Sequence, residues 1–417
     1  MVSTERIAWL ARRAGWGLAP GELDALRDAP TDDVISHFLA GRGPAPDPWA
    51  DMELAVETDQ PLPVFAAAIQ RWLDHFASTT EPAADRMTWL WHDHFAVSAR
   101  VVRSPLAVVE HMRLLRTHAL GNFRDLLRAV TTDAAMLVFL DGAQSTGDAP
   151  NENYGRELLE LYSVGFDAYT EADVRAASIA LTGWTINRRQ RAVRFVPRRH
   201  DDTPQTLLGR PGVRDVDTVV DAVVSNPACA PFITGKIAAS LLGPGVDPAV
   251  TAPLSTAFAA DLEIRPLLDG LMRLGLDGVG GEVVDDPVTW LVAAARALDT
   301  GATPVGVIRM LEAMGQVPAA PPNVGGFPPP SAYLSASTTA ARVSVAGQLA
   351  QRAREGNPAH DAARAGDLDA LAMALGRPDG FGPTTAAALA AVDEATPAST
   401  AVARLTLALV APELVIA

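Results

Sequence analysis

The chain has one cysteine, Cys229, among 417 residues, which excludes an internal disulfide and any cysteine-rich zinc or iron–sulfur site. A metal, if one binds, must be held by His, Asp and Glu. Lysine is almost absent as well: Lys236 is the only one, and every other basic side chain is an arginine. Long apolar runs are missing. The best, residues 401–410 and 291–298, are broken by Arg404 and Arg296 and fall short of the roughly 20 residues that cross a bilayer. No membrane span is expected. Residues 1–9 carry Glu5 and no apolar stretch leading to a small-residue cleavage site, so the expected location is the cytoplasm. At a net charge of -15 the surface has no overall cationic footprint for phosphates, and no nucleic-acid partner is expected.

What the sequence does have is apolar residues at helical spacing. It is 48% hydrophobic, enough to build a sizeable core. Ile7, Leu10 and Ala11, and then residues 66–76, follow the 3.6-residue period. The expected fold class is mainly α, a large multi-helix bundle. One small β-hairpin is expected near residues 184–196, because 184–186 and 192–196 are short apolar or alternating runs around 187–191. Pro- and Gly-rich breaks at 43–48, 243–253 and 317–330 divide the chain into an N-terminal helical lobe, 1–242, and a C-terminal helical lobe, 243–417, packed as one compact module. The stretch 386–414 reads as alanine-rich helix.

Several segments hold residues suited to chemistry. In Trp89-Leu90-Trp91-His92-Asp93-His94-Phe95, His94 falls on the apolar face with Met87, Leu90 and Trp91, while His92 lies about 200° away on the helix. His94 is therefore the better ligand or acid–base candidate; the competing account is a core histidine bonded to a carbonyl or carboxylate. Ser104-Pro105 opens a helix that places His111 and His118 on one face, and Asn122 caps the next helix, with Asp125 at its third position.

The run 151–165 sets Asn153, Glu157 and Glu160 along the flank of an apolar stripe of Tyr154, Leu158 and Leu161. Two carboxylates three residues apart can bind a hard or borderline metal. Alternatively, Arg156 bridges Glu152 and Glu160 as a surface ladder. Thr170 and Asp173 form a capping-box pattern. Residues 187–199 then hold six arginines and no acid, among them Arg188, Arg189 and Arg194, a charge reversal suited to an anionic substrate; the more frequent explanation of such a run is a solvated loop balancing nearby carboxylates. His200 and Asp201 follow. Asn323-Val324-Gly325-Gly326-Phe327, with Pro328 to Pro330, reads as a stiff loop whose paired glycines permit close backbone approach.

Taken in order, Arg12-Arg13-Ala14-Gly15-Trp16-Gly17, Trp91 to Ser98, Arg116 to Phe123, Asn151 to Leu158, Tyr169 to Val174, Leu181 to Trp184, His200-Asp201, Pro321 to Gly326 and Ala411-Pro412-Glu413 resemble the successive motifs of the bacterial domain-of-unknown-function 1800 family, over nearly the whole chain. That resemblance implies a helical protein and supplies no reaction; many of the family are exported, unlike the expectation for this chain. Where the family usually shows a tryptophan followed by Pro and Gly, this chain has Phe327 and three prolines.

Three functions remain open on these residues. The first is a metal-dependent enzyme, an oxidoreductase using non-haem iron, copper or haem on a small anionic substrate. His94, Glu157, Glu160, His200 and Asp201 would be its ligands, His94, Glu157, His118 and Arg156 its catalytic groups, and Arg188, Arg189, Arg194, Asn153 and Trp184 its substrate contacts. The second is a metal-free His/Glu acid–base enzyme or hydrolase. The third is a non-catalytic scaffold or maturation partner.

Overall fold

The structure is a computed structural model that describes residues 2–41, 43, 46–54, 61–187, 192–300, 304, 306–393 and 396–416. It is mainly α-helical, and the strands among the described residues form only two small antiparallel pairs. The local rules explain most helix starts. Ser104 accepts from the Ala107 N–H with Pro105 at the first position, Asn122 accepts from Arg124 N–H, and Thr170 and Asp173 form the reciprocal capping box expected of them. No helix among the described residues is long and apolar enough to cross a membrane.

The helix Pro82–His94 runs through the centre of the fold. It packs against Thr31–Leu39 and Pro105–His118. A helix with one apolar stripe leaves its opposite side to water, but this one buries Met87, Thr88, Trp89, Trp91, His92 and His94. Its polar residues are satisfied by neighbouring elements. Asp85 accepts from His75 and from Arg116, each at 2.9 Å, and Arg116 also pairs with Glu81 at 2.7 Å. His111 is anchored the same way: Nδ1 lies 3.0 Å from Asp133 Oδ2 and Nε2 3.1 Å from the Phe95 carbonyl oxygen. Buried polar groups are tolerated only when paired in this manner.

The expected hairpin is present, with Trp184–Asn187 antiparallel to Ala192–Phe195 and Trp184 opposite Phe195. A second hairpin, Gln205–Leu207 with Arg210–Val213, was not anticipated. Its two-residue turn puts Leu208 at φ 51° and Gly209 at φ 78°, and leucine is an unusual residue for that left-handed conformation. The alanine-rich stretch 386–414 is not one helix. It is the end of Pro383–Ala390, then Pro397–Leu409, then the start of Pro412–Val415, and Pro397 and Pro412 each sit in the first turn of a new helix, where the missing N–H costs nothing.

Buried apolar residues from Ile7 to Val415 make one continuous core. Near the C-terminus, Ala336–Arg352 and Pro358–Ala365 pack on Pro397–Leu409, and Trp290 Nε1 donates to the Leu409 carbonyl at 2.8 Å.

Candidate functional site

The C-terminal end of the Pro82–His94 helix is where several motif segments meet. Asp93 Oδ1 accepts the Phe327 backbone N–H at 2.7 Å, which ties the 323–330 loop to the helix. Gly326, at φ 90°, lies against the Asp93 carboxyl and carbonyl, so the paired glycines do permit a close approach, and what approaches is Asp93. The loop then lays Phe327 over the stacked Trp89 and His92 rings, with centroids 6.2 and 5.8 Å away; Trp89 and His92 are 5.0 Å apart and nearly parallel. Trp89 Nε1 donates to Asp286, at 3.3 Å.

Both helix histidines are buried, including His92, which simple periodicity set apart from the apolar face. Their partners fix their tautomers. His92 Nε2 accepts the Ala319 N–H at 2.9 Å, so Nδ1 carries the proton, and Nδ1 is buried without a partner. His94 Nε2 lies 3.1 Å from the Tyr162 carbonyl oxygen and must donate, leaving the lone pair on Nδ1. Burial holds both rings neutral, pushing each down to about 3, with His111 adding to the effect on His92 and Lys236 on His94.

Asp93 shifts the other way. Burial and the nearby Asp286 push its carboxyl up to about 6, against the Phe327 N–H and the Lys236 ammonium, which draw it down. Its side chain is nevertheless only partly covered. Two phenols adjoin these groups. Tyr162 stands against the His94 and Phe95 rings, and burial and Glu157 raise it; burial, Asp286 and Asp93 raise Tyr333. Among the described residues, neither buried hydroxyl has a hydrogen-bond partner. Lys236, on the Cys229–Leu241 helix, sits over the Phe232 ring at 5.4 Å, and that ring lies 6.2 Å from His94.

The residues expected to form one ligand set go to separate partners. Glu160 accepts from the Tyr169 hydroxyl, and Glu157 is half-buried, raised by burial and by Glu160. His200 Nδ1 faces the hydroxyl and carbonyl of Thr182 at 3.1 and 3.0 Å, with Phe195 against its ring. Asp201 accepts from the Thr203 N–H. Among the described residues, no group of three or more His, Cys, Asp and Glu side chains is arranged to hold a metal ion.

Arg156 does not bridge Glu152 and Glu160; it makes a two-pronged pair with Glu171, both N···O distances 2.8 Å. His118 is half-buried near the end of its helix and Asn153 is exposed. Trp184 packs on Phe195, ring to ring at 5.3 Å, and Arg194 is exposed on the facing strand. Arg188 and Arg189 lie outside the described residues.

The sequence reading passed over Asp93, Tyr162 and Tyr333 as functional groups; Lys236, read as a helix-surface cation, is exposed on the Cys229–Leu241 helix. The available signal was the pairing of an acidic residue inside a histidine–aromatic motif with a distant Gly-Gly loop.

The fold and this site together define a mainly helical protein with acid, imidazole and phenol groups gathered near one helix end. The chain belongs to the family described as Protein of unknown function (DUF1800), whose profile matches residues 9–416. No curated protein and no solved structure matches the chain.

Proposed function

We propose that this chain is an enzyme that performs general acid–base chemistry on a small polar molecule, with Asp93 exchanging the proton and Lys236 facing an anionic or carbonyl oxygen of the substrate. The observation that carries this reading is the half-buried Asp93, whose carboxyl accepts the Phe327 N–H and is raised by burial to about 6 within the electrostatic reach of Lys236. A group titrating there is present in both protonation states near neutral pH, which is what a proton donor and acceptor requires. His94, the next residue on the helix, has its tautomer set by the Tyr162 carbonyl and offers a neutral acceptor nitrogen. The unpartnered Tyr162 and Tyr333 hydroxyls are further groups that a substrate or water could engage.

The test is turnover of a cellular metabolite extract followed by mass spectrometry, comparing wild type with Asp93→Asn, both verified as folded by circular dichroism. Selective loss of a metabolite with wild type but not with the variant is the expected result. Equal loss with both removes Asp93 from the chemistry. No loss with either favours a non-catalytic scaffold or maturation partner. A stoichiometric transition metal in protein purified without an affinity tag, lost in His94→Ala, would support metal-dependent oxidation instead.

A further inference from the structure

A second site lies apart from these groups. A cleft of about 740 Å³ opens between the end of the Ala99–Val102 helix, the Ala134–Phe139 helix, the Gly142–Gln144 turn and the Trp184–Asn187 strand. Its volume is in the range of small-molecule sites. Arg103, Arg199, Asp141 and Gln144 supply its polar lining, and Val102 and Ile186 are among its apolar walls.

Arg199 is held by two groups of the cleft wall. Its Nη1 donates to the Thr185 hydroxyl at 3.2 Å and its Nη2 to the Ala143 carbonyl at 3.3 Å. A guanidinium has five N–H donors in a rigid plane, so these two contacts orient the others without using them up. Arg103 closes the Ala99–Val102 helix at φ 54°, and Asp141 stands at φ 57°. Two charged non-glycine residues of one cleft thus occupy a conformation that costs roughly 1–2 kcal/mol each. Such strain persists where the surroundings over-determine it, and it recurs at ligand sites. Among the described residues, neither Arg103 nor Arg199 forms an ion pair with a carboxylate. Both arginines therefore keep donors for an external anion in a chain whose net charge is -15.

We infer that this cleft binds a small molecule carrying a carboxylate or phosphate on a partly apolar body, the oxyanion taken by Arg103 and Arg199 and a hydroxyl or ammonium of the ligand by Asp141. Arginine is suited to this role because its planar fork matches two oxygens of either group. Asp141 already accepts from the Gln144 side chain at 3.3 Å and has acceptor capacity left for a ligand donor. Val102 and Ile186 give the body of the ligand an apolar surface. No residue is shared with the Asp93 cluster, so this inference and the acid–base reading can fail separately.

The test is thermal unfolding and calorimetric titration of the full chain with inorganic phosphate and with benzoate, each against sodium chloride at matched ionic strength. Saturable binding above the chloride control is expected for at least one probe. Arg103→Ala and Arg199→Gln should each weaken it about tenfold or more, whereas Arg354→Ala, an exposed arginine elsewhere, leaves it unchanged. Phosphate-only binding assigns phosphate esters, benzoate-only binding assigns carboxylates, and binding of both assigns the shared oxyanion. The inference is overturned if neither probe exceeds chloride, or if both cleft variants, their unliganded melting unchanged, bind as wild type does.

Discussion

Asp93 and Phe327 are 234 positions apart, and a 2.7 Å hydrogen bond from the Phe327 N–H to the Asp93 carboxylate joins them. That bond fixes the 323–330 loop against the helix end, sets Phe327 on the Trp89–His92 stack and covers the carboxyl. One contact therefore shapes both the packing and the acidity of the site. The covering desolvates Asp93 and raises it, while the N–H itself lowers it, and desolvation is the larger effect.

Replacing Gly326 with alanine tests this docking. Gly326 has φ 90°, and an added Cβ would sit 2.7 Å from the Asp93 carbonyl oxygen and still closer to its carboxyl. Backbone strain and overlap together should destabilise the protein by about 2 kcal/mol or more. Urea denaturation measures the loss. If the loop lifts instead, NMR titration of the Asp93 carboxyl should find it nearer its ordinary 3.8. A variant as stable as wild type with Asp93 still at about 6 would show that the loop does not pack as described.

The buried histidines and aspartates act on stability with opposite signs. His92 and His94 are depressed from 6.5 to about 3, so the unfolded chain takes up protons that the fold refuses, and their contribution is lost as pH falls below about 6.5. Asp93 and Asp285 are raised from 3.8 to about 6, so their destabilising effect grows as pH rises from about 4 to 6. The two effects oppose each other between pH 4 and 6 and leave a shallow wild-type profile there. His94→Gln removes one histidine term. Its stability relative to wild type should rise on acidification by up to about 1.4 kcal/mol per pH unit below pH 6.5. Asp93→Asn should show the reverse trend between pH 6 and 4. Parallel profiles for wild type and His94→Gln would mean that His94 is not neutral in the fold.

The helices and the hairpin were legible because their signals are local: caps such as Ser104 and Asn122, a capping box at Thr170 and Asp173, short alternating runs at 184–196. The site was less so. His94 was singled out by its face, yet its partner is a carbonyl on Tyr162, 68 residues away, which no spacing rule announces. Asp93 loses acidity only when Gly326 and Phe327 arrive from far along the chain to cover it. The expected link between Arg156 and Glu160 failed for a similar reason: Glu171, on the next helix, offers Arg156 two oxygens, and Tyr169 takes Glu160. Helix-surface arithmetic cannot weigh a partner on a neighbouring element.

Gly155 offers a test of how that next helix docks. The Glu152–Glu160 and Glu171–Ala180 helices meet so closely that a Cβ on Gly155 would lie 2.8 Å from the Val174 carbonyl oxygen and against the Ser178 hydroxyl. Both sites belong to regular helix, so the backbone has little room to yield. Gly155→Ala should cost about 1–3 kcal/mol despite alanine's better helix propensity, which alone would stabilise by about 1 kcal/mol. Thermal melting decides between the signs, and a raised midpoint would mean that the helices are further apart than described.

Two tyrosines of one segment make the last test, because their hydroxyls differ in a single respect. The Tyr154 hydroxyl donates to the Thr131 carbonyl at 2.6 Å, whereas the equally buried Tyr162 hydroxyl has no partner. Removing a hydroxyl that makes a buried hydrogen bond strands its acceptor, so Tyr154→Phe should cost about 1–3 kcal/mol. Removing an unsatisfied one relieves a desolvation penalty, so Tyr162→Phe should be neutral or stabilising by about 1 kcal/mol. On the proposed acid–base reading, the Tyr162 hydroxyl, whose ring stands against His94, is one that the substrate engages. Tyr162→Phe should accordingly retain or gain stability in urea denaturation while losing turnover of whichever metabolite wild type consumes. Unchanged turnover would leave Tyr162 as packing alone, and a large loss of stability would mean that its hydroxyl is satisfied within the folded protein.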